Sequence, residues 1–502
     1  MQSSLLAVDV GNIFTSLFDS MGFMSGDVKN YIMLIISFAL MYLAIVKKFE
    51  PLLLLPIAFG MFLINIPGAE EVLWGTYETA DLSYSIGISG STEYVGVFSS
   101  SDAVIYLREG YLNGDIVTYY ASFEALQSGI TSTMSYTEFD SLYSLTGYIS
   151  GVVSENITIF TDSAIIVSES YDDVTNQGLL WYLYFGVDKV IYPPLIFLGI
   201  GAMTDFGPLI ANPKSMLIGA GAQLGIFVAF VLAIFLGFSV AEAAAIAIIG
   251  GADGPTAIYV TSKLASDFIP MIAIAAYSYM ALIPVIQKPI MRMMTTKKER
   301  TIKMKQLRQV SKLEKVLFPL IVTLVVGIIL PSSIALLGML MLGNLFRESG
   351  VVDRLSSQAQ NGLMNTITIF LGISVGCKAK GAMFLTTDTL LIIVIGLLAF
   401  IIGTMGGLLV AKIMNVATHG KVNPLIGSAG VSAVPMAARI SEDVGREYDP
   451  QNHLLMHAMG PNVAGVISSS IAAGILLACF GGYVDGTAVA EAAQTAMSVL
   501  AA

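Results

Sequence analysis

Among the residues of this chain that could do chemistry, Asp253 has the most informative surroundings. It stands in Gly250-Gly251-Ala252-Asp253-Gly254-Pro255-Thr256-Ala257, between the apolar runs 243–249 and 269–286. A carboxylate at that depth in lipid costs about 2.5–3.5 kcal/mol even on the lenient insertion scale, so it needs a partner. Glycine and proline on both sides predict a helix that breaks there and frees backbone carbonyls for a cation. A salt bridge between helices is the plainer use of such a carboxylate. The glycine-rich break favours a cation site.

A second stretch has the same character without the charge. Asn423-Pro424-Leu425-Ile426-Gly427-Ser428-Ala429-Gly430-Val431-Ser432-Ala433-Val434-Pro435 carries Asn423, Ser428 and Ser432 among small and apolar residues. Downstream of the first stretch lie Tyr277 and Tyr279, and downstream of the second His457 and Asn462. One carboxylate with neutral oxygens from Asn, Ser, Tyr and backbone suits Na⁺ or H⁺, and lacks the donors a transition metal needs. Each Ser or Asn taken alone serves equally well as an interhelical hydrogen bond. Arg439 follows Met436-Ala437-Ala438 at the exit of the second stretch and precedes Ser441-Glu442-Asp443. It reads as an interfacial anchor, as a partner of Glu442 or Asp443, or as a guanidinium that holds a carboxylate in two-pronged fashion at a cytoplasmic entrance. Lys263 is the corresponding basic exit of the first stretch. His457 lies in an apolar span, where a histidine bonded to a backbone carbonyl is the simpler role.

The elements that must position these groups are membrane helices. Of 502 residues, 55% are hydrophobic and 12% charged, half the charge of a soluble domain. Apolar runs recur at 31–46, 51–66, 179–203, 215–238, 268–286, 316–330, 332–346, 366–376, 389–414 and 454–478. Several fall short of the roughly 20 residues of an ideal span, so some must tilt or borrow flanking residues. Residues 1–30 read as an interfacial segment without a cleavable signal. The net charge of −11 is unevenly placed: 67–178 holds sixteen Asp and Glu against Arg108, which leaves +4 for the remainder. The segment 291–315 carries nine Lys and Arg against Glu299 and Glu314. The positive-inside rule puts that loop in the cytoplasm, with the Lys47-Lys48 turn, and the acidic insertion 68–178 and the N-terminus outside. Pieces of the insertion, 103–107 and 156–160, alternate like strands. Two cysteines, Cys377 and Cys479, suit packing rather than a disulfide frame. No phosphate-binding loop or nucleophile elbow is present, which argues against direct ATP coupling.

An internal repeat organises the membrane part. Ile196-Phe197-Leu198-Gly199-Ile200 recurs as Ile369-Phe370-Leu371-Gly372-Ile373, and Gly250-Gly251-Ala252-Asp253-Gly254 has its counterpart in Gly427-Ser428-Ala429-Gly430-Val431. The hairpin 31–67 matches 316–346, but its turn is basic whereas the second hairpin is basic at both ends. The second repeat therefore enters from the opposite side. The expected architecture is an all-α polytopic membrane protein with two inverted-topology repeats, whose broken or re-entrant helices meet at a cation site in the midplane, plus an extracellular polar insertion. Repeat 1 comprises 31–67 and 179–290, the basic loop is 291–315, repeat 2 is 316–480, and 481–502 is a tail.

These motifs resemble a known family, the membrane β subunit of the biotin-dependent, sodium-pumping decarboxylases of oxaloacetate, methylmalonyl-CoA and glutaconyl-CoA. The likeness is carried by Gly199-Ile200-Gly201-Ala202-Met203-Thr204-Asp205-Phe206-Gly207-Pro208-Leu209, by 250–259, by Ala276-Tyr277-Ser278-Tyr279-Met280-Ala281, and by 295–315, 423–439 and His457-Ala458-Met459-Gly460-Pro461-Asn462-Val463-Ala464-Gly465. Only 68–178 finds no match. The resemblance implies decarboxylation of carboxybiotin with consumption of a proton and export of Na⁺ across a bacterial cytoplasmic membrane. It implies Asp253 as the central Na⁺ carboxylate, with Asn423, Ser432, Asn462 and Tyr279 completing or adjoining the sodium and proton sites. Arg439 would meet the carboxylate of carboxybiotin. Partners implied are a carboxyltransferase, a biotin carrier and a small membrane subunit, with homo-oligomers inside a larger complex; no biotin is attached here and no nucleic acid is involved. The physical reading alone ranks first a Na⁺-coupled secondary transporter or antiporter of a small carboxylate, using the same Asp253 and Arg439.

Overall fold

The computed structural model describes residues 27–48, 51–76, 83–88, 94–98, 105–108, 119–120, 136–139, 165–170 and 176–483. The chain divides into two units, one of 1–73 with 179–502 and one of 74–178. Residues 1–26 of the interfacial segment expected at 1–30, the turn residues 49–50, the strand expected at 156–160 and residues 484–502 of the tail expected at 481–502 fall outside the described residues.

The larger unit is helical. Its helices are α1 (Val28–Ile45), α2 (Pro51–Ile64), α3 (Tyr192–Met203), α4 (Met216–Ala222), α5 (Leu224–Phe235), α6 (Val240–Ala247), α7 (Gly254–Leu264), α8 (Ile269–Met294), α9 (Lys312–Ile329), α10 (Ile334–Ser349), α11 (Met364–Cys377), α12 (Thr387–Ala417), α13 (Met436–Tyr448) and α14 (Leu455–Phe480), with shorter turns between them. Local sequence explains many of the starts. Prolines at the first or second position open α3, α7 and α8, where a missing N–H costs nothing. Capping boxes, Ser239 with Glu242 and Ser311 with Glu314, open α6 and α9. Among the described residues, four helices are long and apolar enough to cross a membrane, or six if two bent pairs each count as one span. One of these is the run 179–203, folded as two helices at 69°.

The outer surface is that of a protein in lipid. Ile35, Phe38 and Tyr42 on α1, and Leu317, Leu320, Ile321, Leu324 and Ile328 on α9, are all exposed. A contiguous apolar face of that extent is a liability in water and ordinary in a bilayer.

The two most extensive helix packings join the two halves. α3 lies against α10 so closely that a Cβ on Gly201 would collide with the carbonyl of Leu340, and one on Gly343 with that of Leu198. α11 lies against α2 in the same manner, through Gly376 on Ile57 and Gly60 on Ile373. Each pair is finished by an asparagine. Asn344 Nδ2 donates to Thr204 O at 3.2 Å, at the end of α3, and Asn65 Nδ2 donates to Ala379 O at 2.8 Å, just past α11. Small residues admit the backbone contact, and the amides satisfy carbonyls that have no helical partner.

In the smaller unit, the described residues are antiparallel strands. Tyr94–Phe98, Ser83–Ile88 and Ile165–Ser170 form one three-stranded sheet, with Ser83–Ile88 in the centre. Tyr119–Tyr120, Ile105–Arg108 and Tyr136–Phe139 form another, and Gly75–Thr76 pairs with Asn176–Gln177. The strand expected at 103–107 is thus present, shifted to Ile105–Arg108.

Candidate functional site

Asp253 stands where its sequence predicts a break. After α6 the chain tightens into a 3₁₀ turn, Ile248–Gly251, and Ala252 takes a left-handed φ of 54°. That conformation is uncommon for a residue with a side chain, and it reverses the chain so that Asp253 can cap α7. Asp253 is 4% exposed. Its Oδ1 accepts from the Thr256 backbone N–H at 3.4 Å, and its Oδ2 accepts from Ser469 Oγ at 2.7 Å. Among the described residues no Lys, Arg or His forms an ion pair with it, so the interhelical salt bridge is not its role.

The second stretch is broken as well. Asn423 caps a 3₁₀ turn, Pro424–Gly430, after which 431–435 is irregular, with a cis Val434–Pro435 peptide, before α13 begins. The two breaks touch: the backbone N–H of Ser432 donates to Gly251 O at 3.2 Å. α12 supports both. Its Gly403 packs beside the Gly250 carbonyl, and its Gly407 meets the Gly427 carbonyl. α14 supplies side chains to both breaks from one face. Asn462 Nδ2 donates to Val431 O at 2.8 Å, with Ala429 O and Ala433 O at 3.0 and 3.3 Å. Two turns on, Ser469 reaches Asp253. Positions 462, 465 and 469 share a helix face, and Gly465 between them lets the Gly430 backbone come close.

Not every residue singled out in the sequence converges there. Ser432 and Asn462 do. Asn423 is engaged elsewhere: its Nδ2 donates to Arg300 O and Ile302 O, at 3.0 and 2.9 Å, in the basic loop. Tyr279 donates its hydroxyl to the Ile393 carbonyl on α12. Tyr277, not Tyr279, lays its ring on Gly254 beside Asp253. Ser428 bonds Ser441 Oγ at 2.9 Å. Two further residues at the break, Ser469 and Gln223, escape the sequence reading. Ser469 lies in an unremarked Ser-Ser-Ser run, and Gln223 is a lone polar residue in the apolar run 215–238, which its position divides into α4 and α5. That lone amide was the available signal.

The oxygens around the break are mostly unsatisfied. Ser432 Oγ, Asn462 Oδ1 and Gln223 Oε1 are buried with no hydrogen-bond partner among the described residues. A buried carboxylate without a basic partner, joined by neutral oxygens that lack donors, is a set of groups chemically suited to a hard monovalent cation.

Arg439 is exposed on α13, with no side-chain hydrogen bond or ion pair among the described residues. Its expected partners are taken. Glu442 accepts from His453 Nδ1 at 3.2 Å and from the backbone of Leu455 at 2.9 Å, and Asp443 faces Lys288 at 3.9 Å. A cavity of about 660 Å³ opens on the side of the basic loop, lined by Asp205, Arg308, Lys315, Glu442 and His457 among others. Arg439 stands one helical turn before Glu442 on α13; Glu442 lines that cavity, and Arg439 is not among its lining residues.

The chain matches the family described as the Na⁺-transporting oxaloacetate decarboxylase beta subunit over residues 29–480. It is 47% identical to the methylmalonyl-CoA decarboxylase subunit beta of Propionigenium modestum, over 92% of this chain and 98% of that protein. It is 45% identical to the glutaconyl-CoA decarboxylase subunit beta of Acidaminococcus fermentans, over 93% and 98%. Against the oxaloacetate decarboxylase beta chain of Klebsiella pneumoniae the identity is 47%, over 92% and 98%.

Proposed function

The chain belongs to the family of Na⁺-transporting decarboxylase β subunits, and from that membership we propose that Asp253 holds the exported Na⁺ while decarboxylation of carboxybiotin proceeds on the side of the basic loop. Carboxybiotin loses its carboxyl group as CO₂ and takes one proton on the ureido nitrogen. The residues of this chain do three things for that exchange. Arg439 receives the carboxylate, because a guanidinium with no competing partner matches its geometry bidentately. Asp253, Ser432 and Asn462 offer oxygens to the cation in a site from which water is excluded. The Ser432 hydroxyl, buried and unpartnered, is the group placed to pass the proton beside bound Na⁺. Asn423 and Tyr279 adjoin the site and hold its supports, the basic loop and α12.

The observation that carries this reading is the meeting of the two breaks, with one buried carboxylate and several oxygens lacking donors. The swapped packing of α3 on α10 and α11 on α2 supports two inverted repeats, with the breaks as their matching elements; the charge pattern of the sequence supports an insertion outside. Substrate enters from a carboxyltransferase through a biotin carrier, at a bacterial cytoplasmic membrane, beside a small membrane subunit and further copies of this chain. The family match does not favour a carboxylate transporter.

The test is direct. In proteoliposomes, carboxybiotin should release CO₂ only with Na⁺ present, with uptake of one proton and movement of ²²Na⁺. CO₂ release indifferent to Na⁺ would overturn the coupling.

A further inference from the structure

Gln223 is the least explained polar residue near the break. It is 5% exposed and lies at the joint between α4 and α5, among residues that are otherwise apolar or small. Burying an amide there without purpose is costly, since a buried polar atom with no partner loses its hydrogen bonds to water. Its nitrogen is accounted for: Nε2 faces Gly219 O at 3.3 Å and Gly465 O at 3.4 Å. Two carbonyls on one side fix the amide's orientation, because a carbonyl oxygen cannot face them. Oε1 must therefore point the other way, and there it has no partner.

What it points at is the Asp253 break. A Cβ built on Gly251 would sit 3.4 Å from Gln223 Oε1 and 3.5 Å from Ser469 Cβ. Ser469 in turn holds Asp253 Oδ2 at 2.7 Å, and the Gly251 carbonyl accepts from Ser432. The orphan oxygen thus shares one small space with Ser469, which holds the carboxylate, and with Gly251, whose carbonyl meets the second break.

We propose that Gln223 is a ligand of the transported Na⁺, its Oε1 held ready by the Gly219 and Gly465 carbonyls. This rests on the cation-site reading of Asp253 and extends it to a second helix pair. The arrangement also explains why an amide occupies the position. A carboxylate would bring a second charge and repel its neighbour, whereas an amide adds an oxygen donor and keeps the site suited to a monovalent ion.

The experiment measures Na⁺ binding without turnover. The purified full-length chain is melted in detergent across a NaCl series, with choline chloride holding ionic strength constant. A ligand that binds only the folded state raises the melting temperature with concentration. For Gln223→Met, of similar volume and without the oxygen, the Na⁺ concentration giving half the shift should rise at least about tenfold. A value within about twofold of the unsubstituted chain overturns the proposal. Should Gln223→Met fail to fold, Gln223→Glu decides. A second carboxylate on the cation should make the Na⁺ response tighter at pH 8 than at pH 6, and a response unchanged in both midpoint and pH dependence overturns the proposal. Asp253→Asn separates this from the reading beneath it. Loss of the shift there with retention in Gln223→Met removes Gln223 alone, whereas retention in Asp253→Asn removes the whole site.

Discussion

Ser469 Oγ and Asp253 Oδ2 are 2.7 Å apart although 216 residues separate them in the chain. Hydrogen bonds to an ionised group contribute about 1.5–3 kcal/mol. Ser469→Ala leaves that oxygen without its donor and the carboxylate free to turn. The half-saturating Na⁺ concentration for decarboxylation should rise about tenfold, with KM for carboxybiotin unchanged. Steady-state rates over a Na⁺ series check this, and an equal rise in both constants would place Ser469 in general packing.

Arg439 makes the opposite prediction. It is exposed and unpaired, so Arg439→Ala should leave the melting temperature where it was. The kcat/KM for carboxybiotin should fall at least about a hundredfold, on the scale of one lost charged contact to substrate. Arg439→Lys should recover part of it, since a lysine keeps the charge and loses the two-pronged geometry. A large loss of thermal stability would show that Arg439 is structural.

Asn423 distinguishes two roles. Its amide spans Arg300 O and Ile302 O, and Arg300 O retains a second donor, Asn452 Nδ2 at 2.9 Å. Asn423→Ala therefore strips Ile302 O of its donor and the capped Leu425 N–H of its acceptor, each at a local cost of about 1–3 kcal/mol. Trypsin should then cut after Lys303, Lys305 or Arg308 about tenfold faster in inside-out vesicles. Unchanged cleavage together with a shifted Na⁺ dependence would make Asn423 a ligand instead.

The basic loop also carries a pH dependence. Arg308, hydrogen-bonded to Glu314, together with the Ser311 cap, holds the Glu314 carboxyl down to about 2. A depressed folded-state value means stability that is fully present above the ordinary carboxyl range, near 4.3, and lost as pH falls toward 2. Hydrogen exchange of the amides at 311–315 should accelerate across that window. In Arg308→Ala the folded-state carboxyl returns toward its ordinary range, so the acceleration should be smaller and complete at higher pH.

The insertion is expected to be dispensable for chemistry. Gly75 pairs with Gln177 and Thr76 with Asn176 in antiparallel register, which brings its two ends side by side. Replacing 77–175 by Asn-Gly closes that pair with a two-residue turn. Decarboxylation rate and Na⁺ dependence should stay within about twofold, as expected for a unit with its own internal packing. Loss of both would give the insertion a part in the site.

Much of the site was legible in the sequence because its signals are local. Gly250-Gly251-Ala252-Asp253-Gly254-Pro255 breaks a helix through the properties of glycine and proline, and the observed left-handed Ala252 lies inside it. Asn462 could be flagged because it follows Pro461 in an apolar span. Ser469 could not, since it matters only through a contact with a residue 216 positions away, and Gln223 shows in the sequence only as an amide inside an apolar run. Asn423 shows the reverse failure: its residue type suits a ligand, yet its amide reaches the basic loop. Residue type names a capability, and only packing decides which neighbour uses it.

The crossed helix pairs bear on how this chain is made. Asn344 bonds a carbonyl 140 residues before it, and Asn65 one 314 residues after it. Neither α2 nor α3 can meet its closest neighbour until the later half has left the ribosome. During synthesis the early helices must therefore wait in the bilayer with their glycine faces uncovered, and the Asp253 break waits with them. Lipid insertion then precedes the closing of these two helix pairs, which waits for α10 and α11.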